Sequence, residues 1–211
     1  MQTRVEIADF ENWRTVAGEA AKLLSSGEVV AVPTETVYGL AACAFDAGAV
    51  ARIFEAKKRP TFDPLIVHVA GIRELARVAV VPDGLQQVVR ELAGAFWPGP
   101  LTMVLPRHED VPDIVTSGLP TVAVRASSHE VMRYLTKELG PIAAPSANRF
   151  GRISPTSAHA VMSELGGRIP LIIDGGACTN GLESTIVAVE EGEKRPILRL
   201  LRPGPVTKEQ L

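Results

Sequence analysis

Two hydrophobic periods alternate along the chain. Short apolar runs rich in Val and Ile recur at residues 29–32, 65–69, 101–105, 171–174 and 197–201 and read as strands. Between them, apolar residues fall three and four apart. Trp13, Val16, Ala17, Ala20, Leu23 and Leu24 predict an amphipathic helix over 11–24, with Asn12 as its N-cap and 25–27 as its stop. Val50, Ile53 and Phe54 mark a second helix, and Leu85, Val88, Val89, Leu92 and Phe96 a third. Another runs from about His129 to Leu139, and one carrying Val161, Met162 and Leu165 is capped by Thr156 or Ser157. Strands apolar on both faces and interleaved with helices predict an α/β protein. No repeat, low-complexity tract or linker divides the chain, so one domain over 1–211 is expected.

Several apolar runs discharge polar groups into a turn. Residues 29–32 lead into Pro33-Thr34-Glu35-Thr36-Val37-Tyr38-Gly39-Leu40, and residues 142–144 lead into Pro145-Ser146-Ala147-Asn148-Arg149. Ligands in α/β sheets tend to sit beyond such strand ends. Residues 121–125 alternate, placing Thr121, Ala123 and Arg125 on one face. Pro60 disfavours a helical residue before it, so the second helix should stop near Lys58 with Arg59 extended, letting Lys57 and Arg59 aim at one place. The same cations would also complement a helix C-terminal dipole. His68 stands alone in its apolar run and reads as a core residue. Residues 106–120 form a long connection of the kind that makes binding loops.

Composition narrows this picture. The 211 residues are 46% hydrophobic and 22% charged, with a net charge of −2, so no global basic field marks a dedicated nucleic-acid binder. Cys43 and Cys178 cannot build a disulfide framework or a four-thiolate zinc site. The start carries no signal-like apolar region, and no apolar run approaches the roughly 20 residues that span a bilayer, so a cytoplasmic protein is expected, with no membrane partner.

The familiar phosphate loop, dinucleotide turn, nucleophile elbow and metal helix are all absent from the sequence. Ser, Thr, Asn, Lys and Arg at strand ends suit an oxyanion-rich ligand such as a nucleoside triphosphate. Six segments in order then resemble the YrdC/Sua5 family of threonylcarbamoyl-AMP synthases: 33–40, 56–68, 97–102, 122–125, 144–156 and 183–187. The resemblance is to the short, single-domain members, although a fragment of a long member would read the same. It implies a YrdC-like single domain, a twisted mixed β-sheet flanked by helices around a large positively lined cavity. It also implies that ATP, L-threonine and bicarbonate give threonylcarbamoyl-adenylate and pyrophosphate in the t6A pathway of tRNA, with Mg2+ accompanying ATP and hand-off to a threonylcarbamoyl-transferase machinery.

Carried onto this chain, the family assigns Lys57 and Arg59 as catalytic cations on phosphate or bicarbonate. Arg59, Thr121, Ser146, Asn148 and Arg199 fall on ATP. Thr36, His68, Arg125 and Ser184 fall on threonine, Arg125 through a bidentate contact to its carboxylate. No resident metal site is implied. Glu35 has no assigned role, and Tyr38 and Trp97 read equally as packing or contact residues. Phe150 and Ala188 depart from the family pattern. Two other readings remain: an RNA-binding module for tRNA or rRNA using cations such as Arg149, Arg152, Lys194, Arg195 and Arg202, and a carbamoyl-transfer domain like those of hydrogenase-maturation proteins, whose cysteine-rich zinc elements this chain cannot supply.

Overall fold

The computed structural model describes residues 1–211. In chain order its elements are β1 (Arg4–Ile7), α1 (Trp13–Ser25), β2 (Val30–Val32), β3 (Gly39–Cys43), α2 (Ala47–Lys57), β4 (Ile66–His68), α3 (Gln86–Phe96), β5 (Leu101–Pro106), α4 (Asp113–Thr116), β6 (Thr121–Arg125), α5 (Glu130–Leu139), β7 (Ile142–Ala143), α6 (Ala158–Leu165), β8 (Leu171–Asp174), β9 (Thr185–Glu190) and β10 (Ile197–Arg202). The ten strands form one mixed sheet in the order β1-β8-β2-β3-β7-β4-β6-β5-β9-β10. Parallel pairs such as β4 with β6 and β5 with β9 alternate with antiparallel pairs such as β2 with β3 and β5 with β6.

The apolar runs account for the layers. On β2, Ala31 joins the larger core with Leu40, Ile53, Phe54 and Met103, while Val30 and Val32 join a smaller core with Ala17, Leu24, Met132 and Leu135. A strand clad on both faces needs a continuous apolar run. Two strands escape sequence reading. β1 is an exposed edge strand, and β3 lies where a turn through Leu40 was expected, because Gly39–Cys43 is short and mostly small.

The helix boundaries follow local chemistry, with one difference. Asn12 precedes α1 but makes no side-chain cap; its Oδ1 accepts from the Asp9 amide instead. Ser157 does cap α6, accepting from the Ala160 amide. Helix α2 ends at Lys57, as the Pro60 argument predicts, and Lys58 turns left-handed at φ 50°. The Arg59 amide then donates back to the Phe54 carbonyl at 2.9 Å, a Schellman-type closure that returns the chain toward the sheet. No helix is long and apolar enough to cross a membrane.

Candidate functional site

Six strands, β3, β4, β6, β5, β9 and β10, together with the segment just after β7, line one cavity of about 650 Å³. That volume is typical of small-molecule sites. Alternation places the lining: Ile66 and His68 on β4, Thr121, Ala123 and Arg125 on β6, and Ser184 and Ile186 along β9 all face it. The cavity therefore lies over a sheet face. Thr34, Thr36 and Val37 after β2, and Ser146 and Asn148 after β7, conform to the expectation of a site beyond strand ends. The turn after β2 is knitted to the 144–148 segment, since Leu40 donates to the Pro145 carbonyl and the Tyr38 carbonyl accepts from Ala147, each at 2.8 Å. Gly39 permits this approach, because a Cβ there would stand 3.2 Å from the Ala144 Cβ.

Lys57 and Arg59 both reach the cavity. The Lys57 ammonium, buried, donates to the backbone carbonyls of Ser146 and Asn148. Burial, reinforced by the Arg59 charge, pushes it down to about 7. Arg59 is held by the Asp63 and Pro64 carbonyls at 3.0 Å and by the Asp63 carboxylate at 2.8 Å. The Asn148 amide spends its donors on the Arg149 and Arg152 carbonyls, leaving Oδ1 buried with no partner. What Asn148 has to spare is therefore an acceptor, buried at the cavity wall.

The buried polar floor is built around Arg125. Its Nε donates to the Gly99 carbonyl at 3.2 Å, its Nη1 to Thr36 Oγ1 at 2.7 Å, and its Nη2 lies 2.6 Å from Glu35 Oε1. That last contact is ionic, and no aligned hydrogen bond joins the two atoms. With Nε bonded to Gly99 and Nη2 buried against Glu35, the parallel donor pair expected for a bidentate carboxylate is not presented to the cavity. This corrects the sequence reading of Arg125. Burial alone would raise the Glu35 carboxyl, but the Arg125 charge and the Ser127 hydroxyl outweigh it and hold it below its usual range. His68 is buried, and burial together with the Arg125 charge pushes its imidazole down to about 3, so it is neutral. Ser184 Oγ sits 2.8 Å from Thr102 Oγ1 and accepts from Arg202 Nη2 at 3.0 Å.

Nine of the candidate residues, namely Thr36, Lys57, Arg59, His68, Thr121, Arg125, Ser146, Asn148 and Ser184, line this one cavity. Arg199 does not. Its side chain is exposed on β10 and pairs with Glu190 at 2.8 Å, while Arg202, three residues on, lines the cavity and pairs with Glu183. Arg202, named from the sequence only among the cations of an RNA-binding reading, is thus a cavity residue. A register irregularity between Leu200 and Arg202 sets Arg199 opposite Ala188 and Arg202 opposite Ile186, two residues on one face of β9, so alternation along β10 does not tell the two arginines apart; Arg202 lies nearer the cavity, beside Ile186 and Glu183. Sequence reading also missed Asp63, Arg152, Ser154 and Glu183 in the lining. Tyr38 and Trp97 are packing residues, their polar atoms bonded to the Gly176 and Leu101 carbonyls at 2.7 Å. Phe150 contributes to the wall; Ala188 does not.

Five cationic side chains, Lys57, Arg59, Arg125, Arg152 and Arg202, face two carboxylates, Asp63 and Glu183. The lining favours an anionic ligand. No group of three or more His, Cys, Asp or Glu residues could hold a metal ion.

Comparison with known proteins fits this geometry. A family described as "Telomere recombination", Sua5/YciO/YrdC, matches residues 22–204. The chain is 48% identical over 203 residues to a threonylcarbamoyl-AMP synthase of Pyrococcus abyssi, covering 96% of this chain and 57% of that one. It is 47% identical over 195 residues to the enzyme of the same name from Bacillus subtilis, covering 92% and 54%. A crystal structure of P. abyssi Sua5 complexed with L-threonine superposes with a TM-score of 0.87 at 46% identity, over all of this chain and 59% of that one. The chain thus spans little more than half the length of these relatives.

Proposed function

Because the chain belongs to the Sua5/YciO/YrdC family, we propose that it condenses L-threonine, bicarbonate and ATP into threonylcarbamoyl-AMP and pyrophosphate, the first stage of t6A modification of tRNA. One observation carries the reading: Lys57, Arg59 and three further guanidinium groups share a single cavity with the hydroxyls of Thr36, Thr121, Ser146 and Ser184. The threonine ammonium gives up a proton, and the free amine attacks the bicarbonate carbon, forming a C–N bond as a C–O bond breaks and water is lost, which leaves the carbamate. A carbamate oxygen then attacks the α-phosphorus as the bond to the departing pyrophosphate breaks. Both reactants are anionic, so positioning and charge neutralisation supply the catalysis.

In this reading Lys57 and Arg59 neutralise phosphate and carbamate oxygens. Thr121, Ser146 and Arg202 hold the nucleotide, and Asn148 accepts from it through Oδ1. Thr36, His68 and Ser184 contact threonine, joined by the one uncommitted Nη1 donor of Arg125. Mg2+ enters with ATP as part of the substrate, since the two cavity carboxylates are already paired with Arg59 and Arg202. The single domain works in the cytoplasm, where ATP and tRNA meet, and passes its labile product to a threonylcarbamoyl-transferase. The RNA-binding alternative is weakened by the same pairings, because Arg149 is bound to Glu164 and Arg202 to Glu183.

The test is pyrophosphate release from ATP with magnesium and bicarbonate, with and without L-threonine and in the absence of RNA. Threonine-dependent release that is lost in Lys57→Ala and Arg59→Ala is expected. A folded chain that binds ATP but releases no pyrophosphate would overturn the proposal.

A further inference from the structure

Glu35 is a buried carboxylate that does not line the cavity, yet three segments meet on it. Its Oε1 lies 2.6 Å from Arg125 Nη2, and its Oε2 accepts from the Ser127 hydroxyl. The Ser127 oxygen in turn accepts from the His129 amide at the start of α5. The Glu35 backbone carbonyl accepts from the Asn180 amide at 2.9 Å and the Thr179 hydroxyl at 3.2 Å, fastening the glycine-rich 175–181 loop.

We propose that Glu35 is a positioning residue that acts through Arg125: it balances the buried guanidinium and fixes the rotation that sends Nη1 to Thr36 and the cavity. The inference rests on the proposed threonine site and names its support. A buried guanidinium without a counter-charge is strongly unfavourable, and the Glu35 side chain is the one carboxylate in contact with this one. The geometry also gives the rotation a consequence. Thr36 Oγ1 accepts from Arg125 Nη1 and lies 3.0 Å from Thr34 Oγ1, which donates to the Val37 carbonyl at 2.6 Å. Thr34 Oγ1 also accepts from the Thr36 and Val37 amides at 3.2 Å, and with its hydrogen given to the Val37 carbonyl any hydrogen bond between the two hydroxyls has Thr36 as donor. Toward the cavity Thr36 is left an acceptor, suited to an amine or hydroxyl donor of an amino-acid substrate. Releasing Arg125 from Glu35 would let the guanidinium rotate and the order of donors reverse.

The experiment is a double-mutant cycle on threonine use. Glu35→Gln keeps shape and both backbone contacts to the 175–181 loop while removing the charge. Threonine-dependent pyrophosphate release and direct ATP titration are measured for the unaltered chain, Glu35→Gln, Glu35→Asp, Arg125→Gln and the Glu35→Gln/Arg125→Gln pair. Glu35→Gln is expected to raise the KM for threonine at least about tenfold while ATP affinity changes less than about twofold, with Glu35→Asp recovering part of the loss. In the Arg125→Gln background, the Glu35→Gln change is expected to add nothing, because the residue through which it acts is gone. An undiminished effect in that background, equal loss of ATP and threonine affinity, or an unchanged threonine KM would each overturn the proposal. Absence of threonine-dependent release in the unaltered chain would overturn the proposed function instead; threonine binding by calorimetry in the same five proteins would then decide the Glu35 inference by the same cycle.

Discussion

Lys57 is the residue on which the electrostatic argument can be pressed hardest. It is buried, and burial plus the Arg59 charge bring its ammonium from an ordinary 10.5 down to about 7. At 1.36 kcal/mol per tenfold, that displacement is a penalty of about 5 kcal/mol on the charged form. A triphosphate arriving beside the group would restore the charge, so ATP binding should draw in a proton. In the free protein at pH 8, about 0.9 of the Lys57 groups are neutral; if the bound state returns to the ordinary value, uptake is about 0.9 proton per ATP. ATP itself is fully ionised there and contributes nothing. Calorimetric titration of ATP in two buffers of different ionisation enthalpy reads this number directly. Lys57→Met, which keeps the buried stem, should abolish the uptake and weaken ATP binding. Uptake below about 0.2 proton in the unaltered chain, or uptake that survives in Lys57→Met, would refute the claim that this lysine carries the adjustable charge of the site.

Other consequences are simpler to check. Arg199→Ala should leave pyrophosphate release within about twofold, whereas Arg202→Ala should reduce kcat/KM for ATP at least about tenfold, because the cavity arginine is Arg202; equal effects would put the β10 assignment wrong. Thr102→Val removes the partner 2.8 Å from Ser184 and should cost about 1 kcal/mol of stability by denaturant titration, with a higher KM for threonine and little change for ATP. Lys58 sits at φ 50°, so Lys58→Gly should stabilise the chain by about 0.5–1 kcal/mol, and a loss of stability would show that the Lys58 side chain makes a contact that matters.

Local rules made part of the site legible in the sequence, while Thr36, His68, Ser146, Asn148 and Ser184 entered through the family resemblance, His68 reading by itself as a core residue. Period-two alternation alone puts Thr121, Ala123 and Arg125 on one face, and Pro60 accounts for the helix stop near Lys58, though not for the left-handed turn at Lys58 itself. What the sequence could not express is pairing. Whether a cation is free for a ligand depends on which carboxylate folds against it, and the partners range from near neighbours in sequence, Asp63 with Arg59, to the distant Glu35 with Arg125, with Glu183 and Arg202 between. The Arg125 error shows this clearly: its residue type allows a bidentate grip, and only the contacts with Gly99, Thr36 and Glu35 reveal that the fork is occupied.

The sheet order explains why such distant residues meet. β6 stands between β4 and β5, and β5 stands beside β9, so His68, Arg125, Thr102 and Ser184 occupy adjacent strands although the chain takes more than a hundred residues to visit them. The register pairs His68 with Arg125 and Arg125 with Thr102. Three of these residues bring buried polar groups to one row of the sheet, where each unsatisfied atom would be costly. Arg125 resolves the row by bonding outward to Gly99, Thr36 and Glu35, and Ser184 by bonding Thr102 and Arg202. His68 Nδ1 finds no such partner. In this floor His68 Nδ1, Asn148 Oδ1, Arg125 Nη2 and Glu35 Oε1 are left without a hydrogen bond; the last two compensate each other by charge, so His68 and Asn148 are where a substrate that supplies a partner would recover what folding has given up.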